Sequence, residues 1–222
     1  MDVKDGKAEV LEAEQIRGRF RIQLDNGERY WLSKAVYQER PVRAGDEVDA
    51  EAFAKWVMLH QYRPALERAV SMLAGRACSR GEISRKLQNA GYSGDTIEMV
   101  LYKLDKNRLL DDRAFGAQWA NYRSGQKYGP RRIETELRQK GLSPEEAEEA
   151  VSGLNGAAQA EQALLLARKG LARRKPGEDI RKVKQRTLAG IVRRGYDWET
   201  AKEACSRAAA ELDEDTDEDT YD

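Results

Sequence analysis

The sequence is short of the residues that perform covalent chemistry. It holds one histidine, His60, and two cysteines, Cys78 and Cys205. Ser–His–Asp or Cys–His catalysis would have to run through that single imidazole, and His60 lies late in a predicted helix, where a partly buried structural role is expected. Two thiols cannot build a metal cage, and they suit a reducing, cytoplasmic setting. No apolar run approaches 18 residues, so no transmembrane helix is expected. The opening MDVKDGKAEV has no apolar core of the signal-peptide kind. The glycine-bearing loop at residues 124–130 lacks the G-x-x-x-x-G-K-[ST] order and follows no strand, so it reads as a connection, not a phosphate cradle. Catalytic residues, metal and cofactor are therefore all expected to be absent. The protein reads as a non-enzyme.

What is present is charge. Charged residues make up 35% and hydrophobic ones 40%, with aromatics at 7% and a mean hydropathy of -0.80. This composition suits a helical protein with a thin core and a large solvated surface. The zero net charge hides an asymmetry. Residues 155–210 carry 13 Lys/Arg against 6 Asp/Glu, and residues 211–222 carry none against 8. A basic segment abuts an acidic tail, which has nothing to bury and is expected to be disordered.

The first 62 residues read as a β-rich module. Phe20, Ile22 and Leu24 alternate with polar residues, as do Tyr30 and Leu32. Between them lies Asp25-Asn26-Gly27. A three-residue loop with Gly27 left-handed sets Ile22 opposite Tyr30 and Phe20 opposite Leu32, apolar on apolar. Residues 7–14 are expected to add a third strand, because a lone two-stranded ribbon is not stable. Asp49 should then cap a helix running to about His60, where the module ends.

From Pro64 onward the pattern is helical and repeats three times. The units align on Gly91, Gly141 and Gly195. Four residues before each glycine stand Leu87, Leu137 and Ile191. Six after stand Ile97, Ala147 and Ala201, and ten after stand Leu101, Val151 and Cys205, which places Cys205 in the core. Two after each glycine is a helix N-cap: Ser93, Ser143 or Asp197. The run Ser143-Pro144-Glu145-Glu146 makes a capping box. A first helix precedes each pair, with apolar faces Leu66/Val70/Leu73, Phe115/Trp119/Tyr122 and Leu164/Ala167/Leu171. The fold class is therefore mainly α: three tandem three-helix repeats at residues 63–110, 111–155 and 156–210, in an elongated curved array behind the β module.

Residues 109–141 carry the clearest motif. Asp111 or Asp112 caps a helix, which favours a structural over a metal or acid/base role for this pair. Trp119 and Tyr122 read as core. The pattern Leu110, Asp111, Asp112, Phe115, Arg123, Gly129, Arg131, Arg132, Ile133, Glu136, Leu137, Lys140, Gly141 resembles the signature of the RecX family, bacterial regulators of the RecA recombinase. Gly116 departs from it, where the family usually has Ala. The resemblance covers roughly residues 66–205.

It implies a monomeric partner of the RecA–single-stranded DNA filament. Such a partner lies in the filament groove and inhibits ATP hydrolysis, strand exchange and co-protease activity in recombination, repair and the SOS response. Binding to single-stranded DNA itself would be weak and non-specific. The basic flank exceeds what solubility needs. Its expected contacts are Arg131, Arg132, Arg173, Arg174, Lys175, Arg181, Lys184, Arg193 and Arg194. The acidic tail could fold onto this flank as a brake. The alternative is a helix-turn-helix-like transcriptional regulator. Against it, the helices after the three glycines open with neutral or acidic residues, which would repel phosphate.

Overall fold

The computed structural model describes residues 6–218 and divides the chain into two compact units, Met1–Asp111 and Asp112–Asp222. The first begins with β1 (Lys7–Ile16), β2 (Arg19–Leu24) and β3 (Arg29–Ser33). Next come a short helix α1 (Lys34–Glu39), β4 (Glu47–Asp49), and helices α2 (Ala50–Gly75), α3 (Arg80–Asn89) and α4 (Gly94–Lys106). The strands form an antiparallel sheet in the order β3-β2-β1-β4. The hairpin register pairs Phe20 with Leu32 and Ile22 with Tyr30 around Gly27 at φ +90°, as the alternation predicts. One face of the sheet buries Ile22, Leu24, Tyr30 and Leu32 against Phe53 and Val57 of α2.

The helix expected to stop near His60 continues through Pro64 to Gly75. A proline in a helix interior costs roughly 3 kcal/mol. Here one stripe at i, i+4 spacing runs straight across it: Phe53, Val57, Gln61, Ala65 and Ala69 are all buried. Its first two residues belong to the sheet core, and its last two to the first repeat. Gln61 joins the two. Its amide nitrogen donates to the Trp31 carbonyl (2.9 Å), while its oxygen accepts from the Ser93 amide (2.8 Å) and the Thr96 hydroxyl (3.1 Å).

The second unit holds α5 (Asp112–Gly125), α6 (Pro130–Gln139), α7 (Pro144–Ser152), α8 (Gly156–Leu171), α9 (Ile180–Arg193) and α10 (Trp198–Glu218). Gly91, Gly141 and Gly195 have φ of +82°, +92° and +95°. After the first two, the next amide returns to the carbonyl of Leu87 or Leu137, closing the helix in a Schellman turn. Ser93, Ser143 and Asp197 accept from the amides of Thr96, Glu146 and Thr200. Glu146 completes the capping box on the Ser143 amide (2.8 Å).

The core slots Leu87, Leu137 and Ile191 are buried, as are Ile97, Ala147, Ala201, Leu101 and Cys205; Val151 is half-buried. Replacing Leu137 with alanine should cost about 2–5 kcal/mol. Denaturant melts check this, and a loss below about 1 kcal/mol would remove Leu137 from the core.

Two of the expected first-helix faces are rotated. Val70 and Tyr122 are exposed, whereas Ala65, Ala69, Gly116 and Ala120 are buried. Small residues let these helices approach their neighbours closely, and the large ones are displaced to the rim. A Cβ at Gly116 would stand 3.0 Å from a Leu142 methyl carbon and 3.2 Å from the Ala150 methyl. The alanine usual in the family would therefore need those neighbours to give by a few tenths of an ångström. In α8 the expected face of Leu164, Ala167 and Leu171 is buried.

The acidic end is also not as expected. α10 continues to Glu218, and Arg168 of α8 donates to both carboxylate oxygens of Glu211 at 2.7 and 2.8 Å. Residues 219–222 lie outside the described residues.

Candidate polyanion-binding groove

The second unit carries a groove between α8 and α9. α9, capped by Asp179, turns Val183, Thr187 and Ile191 inward, which leaves its long cations outside. Gly170 lets the two helices close up: a Cβ there would lie 2.6 Å from the Thr187 hydroxyl. The resulting cleft of about 480 Å³ is lined by six cations, Lys127, Lys169, Arg173, Arg186, Arg193 and Arg194, and, among the described residues, by no carboxylate. A second hollow of about 480 Å³ is lined by Arg131, Arg132, Thr135, Gln139 and Arg193, with Glu136 at its floor. Arg193 lines both, so the two hollows form one basic track across the second and third repeats.

The track is held together where the α5–α6 and α9–α10 turns interlock. The Gly129 amide donates to the Arg194 carbonyl (2.8 Å) and the Arg131 amide to the Gly195 carbonyl (3.1 Å). The Tyr128 ring lies between guanidiniums, with Arg123, Arg132 and Arg194 at 4.0, 4.3 and 5.5 Å from its centroid. Arg123 is in turn fixed by Glu136, its Nε donating to one carboxylate oxygen (2.6 Å) and Nη2 to the other (2.5 Å).

Burial pushes the Glu136 carboxyl up, but the hydrogen bonds from Arg123 and Arg132 outweigh it and hold the group below its ordinary 4.5. A depressed carboxylate contributes stability that is present above its unfolded pKa and lost as pH falls through the folded one. The wild type should therefore lose more stability than Glu136→Gln as pH falls from about 5 towards 3. Urea midpoints of the two proteins across that range measure the difference, and parallel curves would show that the pair is energetically silent.

Of the nine cations expected from the sequence, Arg131, Arg132, Arg173, Arg193 and Arg194 line the track. Arg174, Lys175, Arg181 and Lys184 do not. Arg174 and Lys175 belong to the turn between α8 and α9, where the Arg174 side chain donates to the Glu178 carbonyl (3.0 Å) and the Lys175 amide to its carboxylate (3.2 Å). That carboxylate also takes Arg186 (2.6 Å), which holds it below its ordinary range. Arg181 is exposed in the first turn of α9, and Lys184 lies close enough to Cys205 to oppose, without reversing, the upward push of burial on that thiol.

Sequence reading missed Lys127, Lys169 and Arg186 as contacts. The i, i+4 spacing of Lys169 near the end of α8 and Arg173 two residues past that end was the available signal for Lys169; Lys127 sits in a left-handed turn at φ +62°, which no periodicity marks.

His60 bridges the Trp56 carbonyl (2.8 Å) and Glu39 (2.9 Å), holding α1 to α2. Among the described residues no group of three or more His, Cys, Asp or Glu could hold a metal ion, and no helix is long and apolar enough to cross a membrane.

Tandem three-helix repeats behind a small antiparallel sheet are the class of fold this chain presents. The family models of the first and second RecX three-helix domains match residues 65–104 and 111–151. The regulatory protein RecX of Prosthecochloris aestuarii is 39% identical over 142 residues, 64% of this chain and 91% of that protein. The one from Chlorobaculum tepidum is 38% identical over 141 residues, 63% and 84% of the two chains. A crystal structure of a regulatory protein RecX aligns at TM-score 0.59 and 26% identity, covering 87% of this chain and 96% of that one. RecX from Lactobacillus salivarius shares the fold at TM-score 0.62 and 20% identity, covering 68% and 99%. The chain belongs to the RecX family of regulatory proteins.

Proposed function

We propose that this protein is an inhibitor of the RecA recombinase. As a monomer it docks on the RecA–single-stranded DNA filament and suppresses its ATP hydrolysis, strand exchange and co-protease activity, in the setting of recombination, repair and the SOS response. The observation that carries this reading is the track shared by two repeats: a run of guanidiniums and ammoniums in which, among the described residues, Glu136 is the only acidic lining residue, and that one neutralised by Arg123 and Arg132. Such a surface fits spaced phosphates and the acidic rim of a protein groove. The action is steric and electrostatic, with no bond made or broken.

The direct test is the DNA-dependent ATPase of RecA titrated with this protein. Inhibition far below one molecule per recombinase indicates filament-end capping, and inhibition near one to one indicates groove coating. No inhibition at any ratio overturns the proposal. Binding should be indifferent to DNA sequence, because the helices after the three glycine turns open on Asp95, on Glu145 and Glu146, and on Glu199, which do not enter a DNA groove.

The eight acidic residues from 211 to 222 act in this reading as a competitor for the track. Deleting residues 211–222 should tighten binding to oligo(dT) at low salt, measured by fluorescence anisotropy, and the gain should vanish as salt screens both partners. Unchanged affinity would remove the brake.

A further inference from the structure

The three repeats can be compared position by position, because each first helix buries two small residues four apart: Ala65 and Ala69, Gly116 and Ala120, Ala163 and Ala167. In this frame Arg68 and Met72 of α2 correspond to Leu166 and Gly170 of α8. Counting back from the glycine turns, Lys86, Asn89 and Ala90 of α3 correspond to Gly190, Arg193 and Arg194 of α9. The residues on both sides of this correspondence line grooves. The α2–α3 groove, about 610 Å³, is lined by Arg68, Met72, Lys86, Asn89 and Ala90. The α8–α9 groove is the one described above.

The middle repeat shows what closes such a groove. Arg123 stands where Met72 and Gly170 stand, Glu136 where Lys86 and Gly190 stand, and Lys140 where Ala90 and Arg194 stand. The Arg123–Glu136 ion pair spans the gap, and the Lys140 ammonium sits 4.0 Å above the Trp119 ring. The same groove is therefore filled in the second repeat and open and cationic in the first and third.

In the first unit the groove does not end at α3. A further cleft of about 370 Å³ shares Arg68 and Ala90 with it and adds Arg19, Trp31, His60 and Tyr92. Arg19 is fixed there, donating to the carbonyls of Ala90 and Trp31. Among the described residues no carboxylate lines either hollow; Glu39, the partner of His60, stands outside both linings. Among the described residues the side chains of Arg68 and Lys86 have neither ion pair nor hydrogen bond.

The geometry points to a second single-strand nucleic-acid site in the first unit, with phosphates on Arg68 and Lys86 and a base or sugar in the aromatic-walled cleft beside Trp31 and Tyr92. An extended cationic groove that opens onto aromatic walls is how single strands are held without sequence preference. An acidic peptide would use the cations and leave the aromatic walls idle. This assignment rests on the reading that the α8–α9 groove takes the same kind of strand.

The test uses the full chain and a short oligo(dT) of about four nucleotides, a single-site length, followed by amide chemical shifts. Two sets of amides should move in the wild type: Arg68 to Met72 with Lys86 to Gly91, and Lys169 to Arg173 with Arg193 to Gly195. Arg68→Gln with Lys86→Gln should silence only the first set. With a longer oligo(dT) near 200 mM salt the same variant should bind about tenfold more weakly, and its log-affinity against log-salt slope should fall by about 1.4, at about 0.7 per single-strand phosphate contact. Shifts confined to the third-repeat set would overturn the second site and leave the main reading standing. No shifts in either set would overturn both the second site and the reading that the α8–α9 groove takes a strand. Shifts of the first set with oligoglutamate but not with oligo(dT) would overturn the nucleic-acid assignment.

Discussion

Reversing Arg173 and Arg193 to glutamate together is expected to abolish inhibition of the RecA ATPase at concentrations where the wild type inhibits fully. The two side chains stand on opposite walls of the α8–α9 groove, and Arg193 also lines the hollow of the second repeat, so the double change cuts the track at its junction. Removing two phosphate contacts lowers the salt slope by about 1.4, which near 50 mM salt is close to two decades of affinity. Placing two carboxylates beside the strand adds repulsion, so single-strand binding should fall by roughly a hundredfold or more. Both side chains are exposed, and the melting midpoint should stay close to that of the wild type. The matched control is Arg174→Glu with Lys175→Glu. It changes the same net charge in adjacent residues but falls in the turn organised by Glu178, outside the groove lining, and should cost far less inhibition. Equal losses from the two pairs would mean that net charge alone is read; wild-type potency in the Arg173/Arg193 variant, with its fold intact, would exclude the track as the docking surface.

That contrast shows how far the sequence could be read. Caps and closing glycines are local devices, so Ser93, Ser143, Asp197 and the three left-handed glycines were legible one by one, as was the hairpin register around Gly27. The three-residue strand β4 and the six-residue helix α1 were not, being too short to show any period. The stretch His60-Gln-Tyr-Arg-Pro64 reads as a break because Pro and a run of polar residues mark helix ends. It is instead the middle of α2, since Gln61 finds three partners from β3 and the start of α4, two segments distant in sequence. The groove was half legible for the same reason. Charge clusters along the chain picked out Arg173-Arg174-Lys175 as one patch, whereas the surface is assembled from residues about one or two helical turns apart on α8 and α9, plus Lys127 from another repeat.

The largest loss of stability is expected from Gly195→Ala, and two other glycines separate its causes. Gly177 has φ +79° with nothing within 4 Å of where a Cβ would stand, so Gly177→Ala pays only for left-handed backbone, about 1–2 kcal/mol. Gly129 has an ordinary φ of -80°, yet its Cβ would lie 2.5 Å from the Gly195 carbonyl oxygen, so Gly129→Ala tests overlap alone, about 1–3 kcal/mol. Gly195 combines the two: φ is +95° and its Cβ would stand 2.5 Å from the Arg132 amide nitrogen. The obstacle in both interlocked turns includes backbone, which cannot rotate aside. Gly195→Ala should therefore cost about 2–5 kcal/mol, a fall in melting midpoint of roughly 4–20 °C and larger than either single-cause variant shows. Because the same turn seats Arg132, Arg193 and Arg194, the variant should also inhibit RecA poorly at temperatures where it remains folded. The ordering of the three midpoints is the measurement. If Gly195→Ala melts with Gly177→Ala, the second and third repeats do not interlock through these turns, and the track has no rigid junction.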